Sequence, residues 1–300
     1  MEEFGFALLT YNSIYRTHGN LGDEIQSLAA RQFLPRVDRY VDRERLHIEP
    51  WRHKKRLKII LNGWFLLQPS AWPPHEKYQP LLTSMHFNDA PIRRIFSPPP
   101  ASSVVVRPPN LPYLKKFEPI GARDLDTRVH LAAFGVNAYL SGCLTLTLNR
   151  PSRAEKQDYV VANDLDTKSL RMVRQIVGPN LVVCSQIDTA TSDVERRFEK
   201  AKELLTLFAG ARSVITTRLH CALPCLAFGV PVLLLLPPKR RTRFSGLLNL
   251  VRSCSREELV TALEEFSPLQ PVANSEAYFP YRDMLRTRCE QFVANASRAP

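Results

Sequence analysis

Short apolar runs alternate with polar, turn-forming segments in the first part of the chain. The run FGFALLTY is followed by the turn HGN and then by LGDEIQSLAARQFL. Apolar residues in that last segment recur at intervals of three or four positions, which is the period of an amphipathic helix. A further apolar run, RLKIILNGWFLL, ends near Asn62, Gly63 and Trp64. The pattern predicts a strand, a turn with glycine, a helix and a second strand.

Residues 68–115 are rich in proline, in segments such as PSAWPP, SPPPASS and RPPNLP. Proline breaks helices and interrupts sheet ladders, so we expect this insert to hold no long regular element. Within it, SMHF and SSVVV are typical only of short strands. After the insert, the pattern predicts a helix from about Asp126 to Phe134 and then strands within 140–148.

The second half of the chain is more regular. Apolar segments such as DYVVAND, NLVVCSQ, SVITT and PVLLLL alternate with helical segments such as TKSLRMVRQIV. Strands that alternate with helices imply a parallel sheet that is covered on both faces. A polar break near 149–157 divides the chain into predicted domains 1–150 and 151–300, and the helix at 275–297 is expected to pack back on the first domain. The predicted fold class is α/β with two Rossmann-like domains.

The most apolar stretch, SVITTRLHCALPCLAFGVPVLLLL, is long enough to suggest a membrane span. Its Arg218 and His220, together with Pro224 and Pro231, argue against that reading, because a charge at mid-bilayer costs about 2.5 to 3.5 kcal/mol. The stretch is therefore predicted to be a buried strand, a turn and a buried helix. Two ionisable side chains stand where the strand ends.

The charge of the chain limits the classes of partner that it favours, and its cysteines indicate the redox state of the thiols. The 300 residues carry a net charge of +12, with dense basic segments at 31–58 and at KRRTR, 239–243. Such segments favour a nucleic acid, an anionic membrane surface or a phosphorylated small substrate. The beginning of the sequence, MEEFGFALLT, lacks the pattern of a secretion signal, which favours a cytoplasmic location. None of the six cysteines forms a CxxC pair, and we expect reduced, buried thiols.

Candidate chemistry lies at the predicted strand ends, where open parallel sheets bind ligands. Arg218 and His220 follow SVITT directly and precede a helix, whose first N–H groups attract anions. Alternatively, Arg218 pairs with a structural carboxylate and His220 satisfies a polar group of the core. The turn GNLGDE brings Asn20, Gly22 and Asp23 to another strand end, where a plain helix cap is the alternative.

The segment GARD offers Arg123 beside Asp124, either as a ligand-binding arginine or as a turn with an ion pair. The sequence contains no Walker loop, no GxGxxG, no HExxH and no carboxylate cluster with metal-ligand spacing. These absences argue against a nucleotide hydrolase, a dehydrogenase and a zinc hydrolase. No metal site is expected.

The segments GNLGDEIQSLAA, PIGARDLDT, SGCLTLTL, DVERRFEKAKELL and TTRLHCALPCLAFGVPVL, in this order, resemble the polysaccharide pyruvyl transferase family over about residues 8–236. The resemblance implies a two-domain glycosyltransferase-B-like fold with an active site in the interdomain cleft. It also implies transfer of the enolpyruvyl unit of phosphoenolpyruvate to two sugar hydroxyls, with formation of a cyclic pyruvate ketal and release of phosphate. Arg218, Leu219 and His220 match the donor-binding motif, and Arg123 matches a second basic position.

The sequence departs from the family pattern at LNGWFLL, where many members have a glycine-rich run. This departure affects acceptor recognition, for which Asn62 and Trp64 are the local candidates alongside Asn20 and Gly22. Trp64 is either a stacking platform for a sugar ring or a core residue.

The donor carries a carboxylate and a phosphate, which calls for two or more fixed cations. Arg218 and Arg123 meet this requirement, and Arg243 is a third candidate. A histidine with a pKa near 6.5 transfers protons at neutral pH, so His220 is the candidate for the proton at the methylene carbon. Asp23 is the candidate base for the acceptor hydroxyl. Phosphoenolpyruvate is a co-substrate, and no cofactor is expected.

The expected acceptor is a sugar of a polysaccharide or a lipid-linked glycan, with peripheral contact to an anionic membrane surface and no nucleic acid partner. Two other functions stay open from the residues. One is a glycosyltransferase of the same architecture that uses a nucleotide sugar. The other is a basic, non-catalytic module that binds nucleic acid or anionic lipid through residues 31–58.

Overall fold

The computed structural model describes residues 4–50, 55–65, 71–87, 110–236 and 244–295. The chain folds into two compact units, each built from pieces that are separate in sequence. Unit 1 takes the described parts of 1–13, 29–144 and 283–300, and unit 2 takes those of 14–28 and 145–282. The chain therefore passes between the units more than once.

Unit 1 contains a six-stranded sheet in the order β2-β1-β3-β4-β5-β6, and all of its ladders are parallel. Its strands are β1 (Gly5–Thr10), β2 (Arg39–Asp42), β3 (Leu57–Phe65), β4 (Tyr78–Phe87), β5 (Ile120–Ala122) and β6 (Ala138–Leu140). The helices that lie wholly within it are α3 (Asn110–Lys116) and α4 (Leu125–Ala133), and a 3₁₀ turn spans Arg43–Arg45.

Unit 2 contains a five-stranded parallel sheet in the order β11-β10-β9-β7-β8. Its strands are β7 (Val160–Asn163), β8 (Leu181–Cys184), β9 (Ser213–Thr216), β10 (Val232–Leu235) and β11 (Ser253–Cys254). Its helices are α1 (Tyr15–His18), α5 (Thr167–Val177), α6 (Val194–Gly210), α7 (Leu219–Phe228) and α8 (Leu259–Phe266). Helices α2 (Leu21–Arg31) and α9 (Phe279–Ala294) have residues in both units.

The two parallel sheets with their helices confirm the predicted α/β class. Residues of β7, β9 and β10 are buried, as expected for strands covered on both faces. Aspartates begin three of the helices: Asp124 accepts from Thr127 N, Asp166 from Lys168 N and Ser169 N, and Asp193 from Arg196 N. These side chains satisfy N–H groups that a helix leaves without an intrahelical acceptor.

The proline-rich insert contradicts one prediction. It contains β4, a ten-residue strand, where we expected no long regular element. β4 pairs with β5 only at Met85, so the edge of β4 that faces β5 has no ladder at Pro80. Proline, which has no N–H to donate to a neighbouring strand, is therefore compatible with this position. The predicted strand SSVVV lies outside the described residues. The strands predicted within 140–148 are also wrong, since β6 ends at Leu140 and Leu144–Thr147 form a 3₁₀ turn.

The later part of α9 belongs to unit 1. Lys58 of β3 is 2% exposed, and its Nζ donates to the carbonyl oxygen of Phe292 at 2.6 Å. The same Nζ lies 4.8 Å from the centre of the Phe292 ring. Burial lowers the pKa of Lys58. This lysine thus joins the end of the chain to the sheet of unit 1.

A β-bulge distorts the centre of this sheet. Leu61 pairs with Leu82, but Gly63 pairs with Met85, so β4 has one extra residue opposite Asn62. Ser84, in the bulge, has φ of +51°, and Gly63 has φ of +140°. A positive φ costs a non-glycine residue about 1–3 kcal/mol, and both bulges and strained backbone are common at functional sites.

In the part of the chain that the structure describes, no helix is both long and apolar enough to cross a membrane.

Candidate active site

The RLH segment of unit 2 lies where β9 ends and α7 begins. Arg218 is the N-cap residue, with extended backbone, and its N–H donates to Oγ1 of Thr216 at 2.9 Å. His220 has non-helical φ and ψ of −81° and 16°. Pro224 lacks the N–H that would bond to the carbonyl of His220, which explains the break. That carbonyl instead accepts from Nε2 of Gln186 at 3.0 Å.

Arg218 is held by an aspartate at the end of a neighbouring strand. Its Nε lies 2.9 Å from Oδ2 of Asp164, which follows β7 directly. Asp164 also accepts from the hydroxyl of Ser185 at 2.6 Å and from the N–H of Gln186 at 3.0 Å. The side chain of Arg218 is 35% exposed, and its two Nη groups make no hydrogen bond within the described residues. The ion pair considered as an alternative is therefore present, but it leaves part of the arginine open to a ligand.

His220 is 5% exposed and lies against the turn that begins α2. A β-carbon at Gly22 would lie 3.0 Å from Nδ1 of His220 and 3.1 Å from Oδ1 of Asn20. Asn20 accepts from the N–H of Gly22 at 3.1 Å, as expected of a helix-capping side chain. The N–H of Leu21 donates to the carbonyl of Gln186 at 2.8 Å. Two of the predicted segments, GNLGDE and RLH, thus meet within unit 2.

The carboxylates of this turn differ in their surroundings. Asp23 is 7% exposed and accepts from Nε2 of Gln26 at 3.1 Å. Glu24 is buried with Arg197 of α6, whose Nε lies 2.6 Å from Oε1. Burial raises the pKa of Glu24, and the attraction of Arg197 offsets this only in part. Oε2 of Glu24 has no hydrogen-bond partner among the described residues.

In unit 1, Arg123 follows β5 and is 1% exposed. Its N–H donates to the carbonyl of Met85 at 2.8 Å, while Nε lies 3.7 Å from Oδ2 of Asp124. Nε and Nη2 have no hydrogen-bond partner in the described part of the chain. Asp124 is engaged mainly with His86, whose Nδ1 lies 2.6 Å from the same Oδ2.

The electrostatics of Asp124 follow from these neighbours. Burial alone would raise the pKa of its carboxyl, but the hydrogen bond and charge of His86 and the charge of Arg123 lower it. The N–H of Thr127 adds a hydrogen bond at 2.9 Å. Asp124 is therefore a buried carboxylate that holds both a histidine and an arginine.

The other predicted residues are placed as follows. Leu219 is buried at 2% exposure, so only its backbone is suited to contact a ligand. Asn62 is buried opposite the bulge. Trp64 is half-buried, and its ring centre lies 6.3 Å from that of His86. Arg243 lies outside the described residues.

No group of three or more His, Cys, Asp or Glu side chains that could hold a metal ion occurs in residues 4–50, 55–65, 71–87, 110–236 and 244–295.

A comparison with models of protein families decides the assignment. The model described as "Polysaccharide pyruvyl transferase" matches residues 20–237, which is more than half of the chain. The chain belongs to the polysaccharide pyruvyl transferase family. This match includes both the turn at Gly22 and the RLH segment. None of the curated proteins matches the sequence.

Solved structures resemble this family member only distantly. An uncharacterised protein from Klebsiella pneumoniae has a TM-score of 0.48 and 13% identity, covering 84% of this chain and 92% of its own. The S. aureus MnaA in a co-structure with UDP has a TM-score of 0.44 and 10% identity, covering 100% and 99%. A UDP-N-acetylglucosamine 2-epimerase has a TM-score of 0.41 and 11% identity, covering 99% and 94%. At these scores the likeness supports no shared function.

Several residues of these sites in the pyruvyl transferase were missed by the sequence analysis. Asp164 and Gln186 end the segments DYVVAND and NLVVCSQ, and their places at strand ends were the available signal. His86 belongs to SMHF, which was predicted only as a short strand. The pairing of Glu24 with Arg197 spans 173 positions, and no local pattern indicates it.

Proposed function

We propose that this member of the family is a ketal-forming pyruvyl transferase that uses phosphoenolpyruvate as donor. The observation that carries the proposal is the approach of His220 and Gly22 beside Arg218, within the segment that matches the family. A buried histidine and a partly open arginine at a strand end suit a small ligand with two anionic groups.

Arg218 is the proposed donor-binding cation. Asp164 fixes its Nε, so the guanidinium is oriented in advance and its Nη groups donate to a carboxylate or phosphate. The first N–H groups of α7, from Leu219 onward, add donors to the same ligand. Arg123 is proposed as a further anion-binding residue because its buried guanidinium lacks acceptors in the described residues. Arg243 is a third candidate on sequence grounds alone.

His220 is proposed to deliver the proton to the methylene carbon of the donor. The π electrons of the enol double bond form the new C–H bond, and an acceptor hydroxyl oxygen bonds to the adjacent carbon. A second hydroxyl then displaces phosphate, which leaves with the electrons of its C–O bond. Each hydroxyl loses one proton, and Asp23 is a candidate base for one of them. One proton is retained by the methyl group and one leaves with phosphate, so the reaction balances without a cofactor.

The proposed acceptor is a sugar of a polysaccharide or of its lipid-linked precursor, modified in the cytoplasm. An anionic membrane surface is the expected site of peripheral contact, given the net charge of +12. Asn20, Gly22, Asn62 and Trp64 are the proposed acceptor-side residues.

The test combines binding with turnover. Phosphoenolpyruvate is expected to raise the melting temperature, because a ligand that binds only the native state stabilises it. Incubation with phosphoenolpyruvate and a panel of glycan acceptors is expected to release phosphate and to yield a ketal methyl signal by NMR. A shift with nucleotide sugars and none with phosphoenolpyruvate would instead favour a glycosyltransferase.

A further inference from the structure

Gln186 lies two residues after β8, is buried, and makes hydrogen bonds to three separate segments of unit 2. Its N–H donates to Oδ2 of Asp164 at 3.0 Å, and its carbonyl oxygen accepts from the N–H of Leu21 at 2.8 Å. Its side-chain Nε2 donates to the carbonyl oxygen of His220 at 3.0 Å. One residue therefore joins the end of β7, the beginning of α2 and the broken first turn of α7.

The bond from Gln186 to His220 exists because α7 is broken there. In a regular helix the carbonyl of His220 would accept from the N–H of residue 224, but Pro224 has no N–H. His220 instead has φ of −81° and ψ of 16°, a sparsely populated backbone region in which active-site residues are common. A buried carbonyl without its helical donor needs another donor. Nε2 of Gln186 provides it, and thereby fixes the backbone from which the imidazole projects.

The bond from Gln186 to Asp164 extends the same network to the arginine. The Oδ2 atom that accepts from Gln186 also lies 2.9 Å from Nε of Arg218. Asp164 has φ of +52°, and the hydroxyl of Thr217 donates to its carbonyl oxygen at 2.9 Å. Backbone strain of this kind is typical of sites that are organised before a ligand binds. A chain of hydrogen bonds thus runs from the carbonyl of His220 through Gln186 and Asp164 to Arg218.

The side-chain amide of Gln186 is not what stability alone favours. Its Oε1 is buried and has no hydrogen-bond partner among the described residues. A buried acceptor without a donor destabilises a fold, and an apolar side chain of the same length would avoid that cost. The amide is therefore better explained by its contact with His220 than by packing.

We propose that Gln186 is a positioning residue of the donor site, and that it sets where the His220 imidazole lies relative to the Arg218 guanidinium. The backbone N–H of residue 186 supports Arg218 through Asp164, whereas the side-chain amide supports His220. A substitution at residue 186 therefore separates the two contacts. The effect on catalysis rests on the proposed function, whereas the placement of His220 does not.

Gln186→Met keeps the backbone N–H and the length of the side chain but cannot donate to the carbonyl of His220. It is expected to lower kcat about 10- to 100-fold, since small displacements of a reacting group slow catalysis. The KM for phosphoenolpyruvate should stay within threefold, because Asp164 still holds Arg218. A folded variant with kcat within threefold of wild type, or with a KM that rises as far as kcat falls, overturns the proposal.

Asn274→Leu is the matched control at the other end of α7. Nδ2 of Asn274 donates to the carbonyl oxygen of Val230 at 2.7 Å, and its Oδ1 accepts from the N–H of Val232 at 3.1 Å. This amide also satisfies a backbone carbonyl, but it does not contact the donor site. Its loss should lower the melting temperature by about 2–4 °C and leave kcat within twofold. An equal loss of kcat in Gln186→Met and Asn274→Leu would overturn a specific role for Gln186.

The placement of His220 is tested without donor or acceptor. The imidazole signals of protein labelled with ¹³C-histidine are recorded by NMR, and His220→Gln identifies the signal of residue 220. Gln186→Met is expected to shift that signal, and Asn274→Leu is expected to leave it unchanged. Gln186→Leu is measured in the same way, so that the comparison stands if one of the two variants does not fold. An unchanged signal in a folded variant of residue 186 overturns the positioning role.

The outcomes separate this proposal from the proposed function. A wild-type protein that releases phosphate, with Gln186→Met equally active, overturns the role of Gln186 and leaves the proposed function intact. A wild-type protein that neither binds phosphoenolpyruvate nor forms a ketal overturns the proposed function and the catalytic effect of Gln186. In that case the NMR signal of His220 still decides whether Gln186 places the imidazole.

Discussion

Gly22 and His220 approach so closely that a β-carbon on residue 22 would lie 3.0 Å from Nδ1 of His220. This distance is tighter than ordinary van der Waals contact, so hydrogen is the only side chain that leaves His220 where it is. The turn before α2 and the segment after β9 are therefore matched to each other, although they lie almost two hundred positions apart.

Gly22→Ala is expected to displace His220 by a few tenths of an ångström and to lower kcat roughly 10-fold, since small displacements of a reacting group slow catalysis. Alanine also favours helix by about 1 kcal/mol, which offsets the crowding, so the melting temperature should change little. Phosphate release and calorimetry measure the two effects.

Gly178→Ala is the contrasting control. Gly178 has φ of +67°, and a β-carbon there would meet no atom within 4 Å. With ψ of −136°, this positive φ is a conformation that alanine adopts only under strain, so we expect about 1–3 kcal/mol of lost stability and unchanged kcat. Equal activity losses in both variants would contradict a specific role for the approach to His220.

Arg218→Ala is expected to raise the KM for phosphoenolpyruvate at least 10-fold and to abolish the thermal shift by that ligand. A hydrogen bond to a charged group contributes about 1.5–3 kcal/mol, which corresponds to a change of this size. The measurement is steady-state phosphate release over a range of donor concentrations.

Arg256→Ala is the matched control for Arg218. Arg256 also pairs with an aspartate of unit 2, Nη2 lying 2.8 Å from Oδ2 of Asp166, and it is 45% exposed. Loss of this exposed pair should cost at most about 1 kcal/mol of stability and leave donor affinity unchanged. A similar rise in KM in both variants would indicate a general effect of positive charge.

Breaking the buried pair of Glu24 and Arg197 is expected to destabilise unit 2 strongly. Both side chains are about as buried as core residues, at 3% and 2% exposure, so Glu24→Ala leaves an uncompensated guanidinium and should cost about 3–5 kcal/mol. The double variant Glu24→Leu with Arg197→Leu removes both charges and should recover part of the loss. Urea unfolding measures both variants, and a double variant that is no more stable than Glu24→Ala would contradict the pairing.

The free energy of unfolding is expected to fall in acid because of the carboxylate of Asp188. Burial alone would raise its pKa, but hydrogen bonds from Lys200 and Thr191 hold the pKa well below its usual range. A carboxylate whose pKa is lower in the folded state stabilises the protein above the unfolded pKa, and this contribution is lost as the pH falls through the folded pKa. Asp188→Asn should therefore lower stability at pH 7 and flatten its dependence below about pH 4. Unfolding curves from about pH 2 to 7 test this, and parallel curves would contradict it.

The cysteine thiols are expected to react slowly with labelling reagents in the native protein. All six cysteines are free, and burial raises the pKa of Cys184 to about 12 and that of Cys254 to about 11. Because the thiolate is the reactive form, these groups should react with a disulfide reagent far more slowly in the native protein than in urea. Rapid native labelling of Cys184, identified by mass spectrometry, would be inconsistent with this environment.

Local patterns were sufficient to predict much of the fold. The alternation of β7 to β10 with their helices follows from apolar periodicity, and the helix predicted from about Asp126 lies at α4. The length of β4 was not predicted because Pro80 suggests a break in the strand. Proline is tolerated there because β5 pairs with β4 only further along the strand, at Met85.

The candidate site was predicted only where its chemistry is local in sequence. Arg218 and His220 stand out because they interrupt an apolar run. Asp164, Gln186 and His86 act through partners that are distant in the chain, so their contacts depend on strand order rather than on sequence pattern. The donor, catalytic and acceptor roles of the individual residues stay predictions.

Because the two units are interleaved in sequence, neither unit is encoded by one continuous segment of the gene. A gene fragment that stops after Leu144 encodes neither unit whole: unit 1 would lack residues 283–300, and unit 2 would be deprived of 145–282. Exchange of one unit between relatives must therefore transplant several separate segments together. Recombination at a single junction would yield chimeras in which α2 or α9 comes from the wrong parent.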